Sequence, residues 1–174
     1  DTNSLLASMN KMVQTIKDMV QDVQKLGNSA TEGKLDVRAD ATKFHGEYKQ
    51  LVQGLNSTLD AIIGPLNVAA EYIDRISKGD VPPKIIDEYK GDLNEIKNNM
   101  NVLIDTLELL VKDTDIMTSA AANGKLDVRV DANKHQGVFR TLINGLNETI
   151  NNIVRPLNVA AEYIDRISKG DVPP

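Results

Sequence analysis

Apolar residues recur along this chain at helical spacing, in two long stretches that lie 91 residues apart. The first stretch steps by four and three residues alternately from Leu5 to Ala30, and the second does so from Ile96 to Ala121. A spacing of 3.5 residues held over four heptads is typical of the seam of a left-handed coiled coil. Neither stretch contains proline, so each is predicted to form one continuous helix.

Two further stretches also have a helical pattern, but each contains two consecutive steps of four residues. Such a stutter locally unwinds a supercoil and rotates its seam. Glycine lies inside each stutter, and a proline that is expected to kink the helix follows it. The predicted junction residues are Gly54, Pro65, Gly145 and Pro156. The alternation of unbroken and stuttered junctions favours neighbouring units with different bundle geometries, although the stutters would also serve merely to match one bundle to the next.

The apolar positions of these helices form the predicted packing core. The candidate core residues are Leu51, Leu55, Leu59, Ile62, Leu66, Ile73, Ile76, Ile96, Met100, Leu103, Leu107, Leu110, Leu142, Leu146 and Ile150. Methionines at seam positions are interpreted as adaptable packing residues and not as ligands of a cofactor.

Three connectors separate the helices: Gly33–Gly46, Gly79–Gly91 and Gly124–Gly137. An antiparallel helix pair needs only about two to five loop residues, and these connectors are more than twice that length. About twelve extended residues reach roughly 40 Å, further than a sixteen-residue helix of about 24 Å. Each connector is therefore predicted to run back along a helix, so that the two helices it joins are parallel. The candidate connector residues are Gly33, Leu35, Val37, Gly79, Val81, Ile85, Gly124, Leu126 and Val128.

The segment PLNVAAEYIDRISKGDVPP occurs twice, at residues 65–83 and 156–174. A long repeat indicates a structural unit copied along an axis, and because the chain begins and ends inside the repeat it is interpreted as a fragment. The net charge of −5 argues against nucleic-acid binding. No nucleophile–base set, metal cluster or phosphate-binding loop is recognisable, so we expect no enzyme activity, no cofactor and no small-molecule ligand.

The polar connector residues have simple structural interpretations. His45 and His135 lack partners at metal-ligand spacing and are expected to be solvated or locally hydrogen-bonded. The acidic residues of the first and third connectors do not have the spacing of a calcium loop. We expect Asp36, Asp40, Asp127 and Asp131 to form a solvated face or to interact with helix ends.

This arrangement of helix, glycine-led connector and helix resembles the HAMP domain of bacterial sensor proteins. The similarity is carried by Pro65-Leu66, by Gly79-Asp80-Val81 with Ile85, and by Asp92-Leu93 with the apolar positions that follow. Equivalent residues in neighbouring units include Leu55-Asn56, Met100-Asn101 and Leu146-Asn147. The acidic pair that usually precedes the second helix is absent. Gly46-Glu47, Gly91-Asp92 and Gly137-Val138 stand there instead.

The resemblance covers nearly the whole chain and implies two HAMP units in each 91-residue period. The predicted units are the end of a preceding unit at 1–17, complete units at 18–63, 64–108 and 109–154, and the start of a further unit at 155–174. The implied fold is all-α, with parallel four-helix coiled-coil bundles that form by homodimerisation and stack end to end.

The implied function is signal relay, as in methyl-accepting chemotaxis proteins and hybrid histidine kinases. Conformational change would pass from a covalently linked sensor to an output domain, in a cytoplasmic segment of a parent protein that either is or is not anchored in the inner membrane. The alternative, from a different class, is a passive coiled-coil spacer or a self-assembling fibre segment.

Overall fold

The computed structural model describes residues 2–172 and is all-helical in that range. The described residues form four long α-helices: α1 Thr2–Thr31, α2 Gly46–Ser77, α3 Asp92–Ala122 and α4 Gly137–Ser168. They correspond to the four periodic stretches, so the predicted all-α fold is confirmed. None of the helices within residues 2–172 combines the length and the apolar character that crossing a bilayer requires.

The connectors leave the helices through a repeated backbone motif. At the end of α2 the Gly79 amide donates to the Ile76 carbonyl at 2.9 Å, and the Asp80 amide donates to the Arg75 carbonyl at 3.0 Å. These two bonds make a Schellman motif, in which glycine takes the left-handed conformation; φ of Gly79 is 81°. The same pair of bonds ends α1, α3 and α4 at Gly33, Gly124 and Gly170.

The first connector runs antiparallel to α2. Arg38 contacts Asp60, the backbone of Ala39 contacts Asn56, and further along the connector Lys43 reaches back to Asp22 on α1. The contact on α1 therefore lies eleven residues before Gly33, where the connector begins. Because the connector retraces α1 and also opposes α2, the two helices are parallel, as predicted.

The third connector repeats this course between α3 and α4. Its backbone at Val130 contacts Asn147 of α4, and His135, five residues later, contacts Asp113 of α3. The middle connector opposes α3 in the same sense, with Lys84 on Asp105.

The connectors differ in local conformation, which the sequence pattern did not predict. The first and third contain one-turn 3₁₀ helices, Ala41–Lys43 and Ala132–Lys134. The middle connector is one residue shorter and has no such turn. Its Pro82-Pro83 pair favours extended backbone on both sides, so the extended description holds fully for this connector alone.

The prolines do not break the long helices. Pro65 lies inside α2 and Pro156 inside α4, and both helices continue on either side of the proline. A proline removes one backbone donor and fixes a φ that a helix tolerates. The helices therefore continue past both prolines, and the predicted kinks stay a prediction.

The chain divides into two compact units: Asp1–Asp74 with Glu88–Ile96, and Arg75–Asp87 with Lys97–Pro174. In the first unit, Phe44 and Ala39 of the connector pack with Leu26 of α1 and Val52 of α2. In the second unit the buried residues include Ile85, Met100, Ile104, Met117 and Ile143. Each core is thus built from connector residues as well as helix residues.

The Schellman glycines generate a stability prediction. Gly79→Ala should lower the free energy of unfolding by about 1–2 kcal/mol, because a Cβ is disfavoured in the left-handed conformation. No neighbouring atom lies within 4 Å of the added Cβ, so the loss would report backbone strain and not a clash. Chemical denaturation followed by circular dichroism would measure it.

Gly27→Ala is the matched control, since Gly27 lies inside α1 with equally open surroundings. There the substitution should stabilise by up to about 1 kcal/mol, because alanine is the better helix former. Equal effects of the two substitutions would contradict the conformational argument.

Candidate functional site

An asparagine side chain fixes the backbone of the first connector. The Asn56 Nδ2 donates to the Ala39 carbonyl at 2.8 Å, and the Ala39 amide donates to the Asn56 Oδ1 at 3.1 Å. A carboxamide offers a donor and an acceptor side by side, so it satisfies both polar groups of one extended residue, as a neighbouring strand would. We call this arrangement the asparagine clamp.

The clamp recurs at both other connectors. Asn101 pairs with Ile85 through bonds of 2.8 and 3.0 Å. Asn147 pairs with Val130 through bonds of 3.4 and 2.9 Å. Each asparagine lies on the helix that follows its connector, 16 or 17 residues after the residue it holds. The three connectors are therefore seated on their helices in the same way.

A basic residue directly before each clamped residue adds a second attachment. Arg38 Nη1 donates to the carbonyls of Leu35 and Val37, both at 2.7 Å, while its Nη2 lies 2.7 Å from Asp60. One guanidinium thus joins the turn of the connector to the helix, which its planar set of donors makes possible.

Basic residues occupy the corresponding positions of the other two connectors and also contact the following helix. Arg129 donates to the carbonyls of Leu126 and Val128 and also to Asn151, at 2.7–2.9 Å. Lys84 pairs with Asp105 at 2.7 Å. In each case the helix partner lies four residues after the clamp asparagine. The sequence pattern did not identify these basic residues as attachment points, although a Lys or Arg recurs at this position in all three connectors.

The acidic connector residues are placed as expected. Asp40 and Asp131 cap the 3₁₀ turns, accepting from the amides of Thr42 and Asn133 at 3.0 Å. The hydrogen bond from the Thr42 hydroxyl, followed by that from its amide, lowers the pKa of Asp40. Asp36 and Asp127 are solvent-exposed.

The apolar connector residues are buried to different extents. Ile85 is buried, whereas Leu35 is exposed. Val37, Val81, Leu126 and Val128 are half-buried. Other connector residues are more deeply buried than most of these, namely Ala39, Phe44, Pro82 and His135.

The predicted core residues differ in how far the single chain covers them. Met100 is buried. Six are exposed, namely Leu51, Ile62, Leu66, Ile73, Leu103 and Leu142. Eight are half-buried, namely Leu55, Leu59, Ile76, Ile96, Leu107, Leu110, Leu146 and Ile150. Their assignment to a dimer core therefore stays a prediction.

Adjacent apolar pairs separate two faces of each helix. Leu51 is 54% exposed and Val52 only 1%, and Leu142 is 48% exposed while Ile143 has no exposed surface. Ile62 and Ile63 behave in the same way. In α2 the second residue of these pairs lies one or two helical turns from the clamp asparagine, on the face that the connector covers. The seam analysis missed this second face.

The junction glycines have open surroundings. Gly54 in α2 and Gly145 in α4 would each accept a Cβ with no atom within 4 Å. Nothing within the single chain therefore requires glycine at these positions, and their predicted role at junctions stays a prediction.

The two histidines are in different environments. His45 is exposed, as expected. His135 is 1% exposed, and its Nε2 lies 2.8 Å from the Oδ2 of Asp113, which is itself buried. The expectation of a solvated or locally bonded ring is wrong for His135, because its partner lies 22 residues away on α3. Among residues 2–172 no group of three potential metal ligands is close enough to hold an ion.

Comparison with known families agrees with this geometry. The sequence model described as "HAMP domain" matches residues 43–109 and 134–174, together more than half of the chain. No solved structure matches the chain. The matched segments contain α2 and α4, residues 92–109 of α3 and all of the middle connector.

The asparagine clamp generates a testable prediction. Asn101→Ala would leave the buried polar groups of Ile85 without partners, which costs about 1–3 kcal/mol for each unsatisfied group. We expect a fall in the free energy of unfolding and a loss of hydrogen-exchange protection at the Ile85 amide.

Asn98→Ala on the exposed side of the same helix is the control, and it should change neither quantity appreciably. Unchanged protection of the Ile85 amide in Asn101→Ala would show that the clamp contributes nothing to seating the connector.

Proposed function

Because the chain belongs to the HAMP domain family, whose members are non-catalytic signal-relay modules, we propose that it relays conformational change along stacked four-helix bundles. The bundles are parallel homodimers, and each contains two helices and a connector from each copy. The units are those at 18–63, 64–108 and 109–154, flanked by parts of two others.

The exposed apolar seam is the observation that carries this proposal. Large side chains at heptad spacing stay open to solvent along α1, among them Leu5 at 63%, Met9 at 50% and Met12 at 49%. The same holds for Leu51 and Ile73 on α2. Contiguous apolar surface of this extent marks an interaction site in a water-soluble fold. A second copy presents the same seam, and knobs-into-holes packing between parallel copies would cover both.

The attachment of connectors supports transmission within a unit. The first and third connectors touch the helix before them, through Lys43 on Asp22 and His135 on Asp113, and each is clamped to the helix after it by Asn56 or Asn147. A displacement of the first helix is thereby conveyed to the second through hydrogen bonds as well as through apolar contacts. Relay needs such a physically continuous path between elements.

The wider setting follows from the function. The parent protein is a chemoreceptor-like or hybrid-kinase-like sensor, with an input domain before this segment and an output domain after it. The relay acts on the cytoplasmic side and uses neither a cofactor nor a small-molecule ligand.

Single-cysteine cross-linking would test the parallel dimer. The chain has no cysteine, so one residue can be replaced at a time without background. Leu103→Cys and Leu107→Cys should form disulfide-linked dimers in the folded protein, because a parallel seam brings equivalent residues together. Asn98→Cys, on the exposed side of α3, is the control and should cross-link at least about tenfold more slowly. Equal rates would contradict a parallel seam.

Deletions in α1 would separate relay from a passive spacer. In a chimeric receptor that joins this chain to a known sensor and a known kinase-control domain, deleting residues 8–14 removes one heptad and preserves the seam. Deleting residues 8–11 changes the phase of the seam. A relay predicts near-normal output for the first deletion and altered or inverted output for the second, whereas a spacer predicts the same output for both.

A further inference from the structure

A buried pair of ionisable side chains attaches the third connector to α3. His135 lies in the connector, two residues before α4 begins at Gly137. Asp113 lies in the third quarter of α3. The Nε2–Oδ2 distance is 2.8 Å, with 1% of His135 and 5% of Asp113 exposed. The bond therefore joins two elements that the asparagine clamp does not join, because Asn147 fixes the same connector to α4.

The first connector has a different pair at the equivalent positions, 91 residues earlier. Asp22 corresponds to Asp113, but Phe44 stands in place of His135. Phe44 packs with Leu26, Ala39 and Val52. Its side chain has no ionisable group. Asp22 instead has Lys43 at 3.7 Å. The position that Phe44 occupies in the first connector is thus apolar, whereas the equivalent position in the third connector, His135, is ionisable.

The surroundings of His135 contain few other charges. From α4, Arg140 Nε donates to the His135 carbonyl at 3.1 Å and not to the ring. Within the connector, Lys134 is exposed and Asp131 is engaged in capping its 3₁₀ turn. Asp113 is the charged group from α3 that contacts the ring.

A small cavity lies beside this pair. It has a volume of about 140 Å³ and is lined by Val102, Thr106, Leu109, Lys134, His135 and Gln136. That volume is sufficient for several water molecules, and the lining supplies polar partners for them. The Nδ1 of His135 is buried and has no hydrogen-bond partner among residues 2–172, so a proton for the ring would have to come from water in this cavity.

We propose that the Asp113–His135 pair makes attachment of the third connector dependent on pH, while attachment of the first connector is not. At alkaline pH a neutral imidazole donates from Nε2 to the Asp113 carboxylate, which stays a buried charge without a counter-charge. At acidic pH the imidazole takes one proton from solvent, and the resulting imidazolium compensates that charge. A buried charge is costly unless it is paired, and a charge-assisted hydrogen bond is stronger than one from a neutral donor. Protonation therefore tightens the connector on α3.

Hydrogen exchange on the intact chain would test this proposal. Protection factors, which correct for the pH dependence of the exchange chemistry, would be compared for residues 124–137 and 33–46 at about pH 5.5 and about pH 8. Histidine is the side chain whose charge ordinarily changes in the interval between these values. Protection of the third connector should fall by about threefold or more at the higher pH, and that of the first connector should stay constant.

Substitutions taken from the chain itself provide the controls. His135→Phe copies the first connector and should remove the pH dependence, whereas His45→Gln copies the third connector at an exposed position and should leave it unchanged. Asp113→Asn keeps an acceptor for the ring and removes the charge, so the fall in protection at the higher pH should disappear or reverse, because the imidazolium would then be a buried charge without a partner. The converse change, Phe44→His, should introduce pH dependence in the first connector.

Two results would overturn the proposal. One is equal protection of the third connector at both pH values in the unaltered chain, which needs no variant to fold. The other is an unchanged fall in protection at the higher pH in His135→Phe or in Asp113→Asn.

Discussion

An extended chain segment that lies on helices, with no neighbouring strand, must find partners for its backbone amides and carbonyls. In this protein one asparagine per connector meets that requirement at the clamped residue. Asn56, Asn101 and Asn147 each supply a donor and an acceptor to a single connector residue. Without them, burial of the connector would leave unpaired polar groups, which is costly in a low-dielectric interior. The parallel arrangement of the helices depends on this seating, because it is the connector that returns the chain to the starting end.

The clamp also divides each helix into two faces. One face carries the asparagine together with residues such as Val52, and the chain's own connector covers it. The other face carries seam residues such as Leu51, which the single chain leaves exposed. Intramolecular packing therefore uses one face of each helix and leaves open the face that the proposed dimer would use. A unit can accordingly keep its connector in place while the packing of its seam changes, which a relay based on bundle geometry requires.

The sequence predicted the features that depend on periodicity and on backbone chemistry. The four helices follow from apolar spacing, the ends of α1, α2 and α3 from Gly33, Gly79 and Gly124, and the parallel course from connector length. It did not predict the contacts between residues far apart along the chain. Nothing in local pattern connects His135 with Asp113, and the clamp asparagines were recognised as part of a family pattern without a physical role. The one-residue difference in connector length was visible, but its consequence, a 3₁₀ turn capped by Asp40 or Asp131, depends on local hydrogen bonding.

The three connectors share the same hydrogen bonds to their helices but differ in the side chains that pack beneath them. Clamp, basic residue and Schellman motif occur at every connector, so each connector leaves its helix and is seated on the next helix in the same way, although the middle one lacks the 3₁₀ turn. The side chains beneath that path differ: the residue two places before the closing glycine is Phe44, Tyr89 or His135. Apolar packing at this place responds to temperature and to neighbouring side chains, whereas an ionisable pair also responds to protons. Units of common architecture therefore differ in what stabilises the connector against the first helix. If bundle geometry is transmitted through that contact, an array of such units passes on a signal whose strength is set separately at each step.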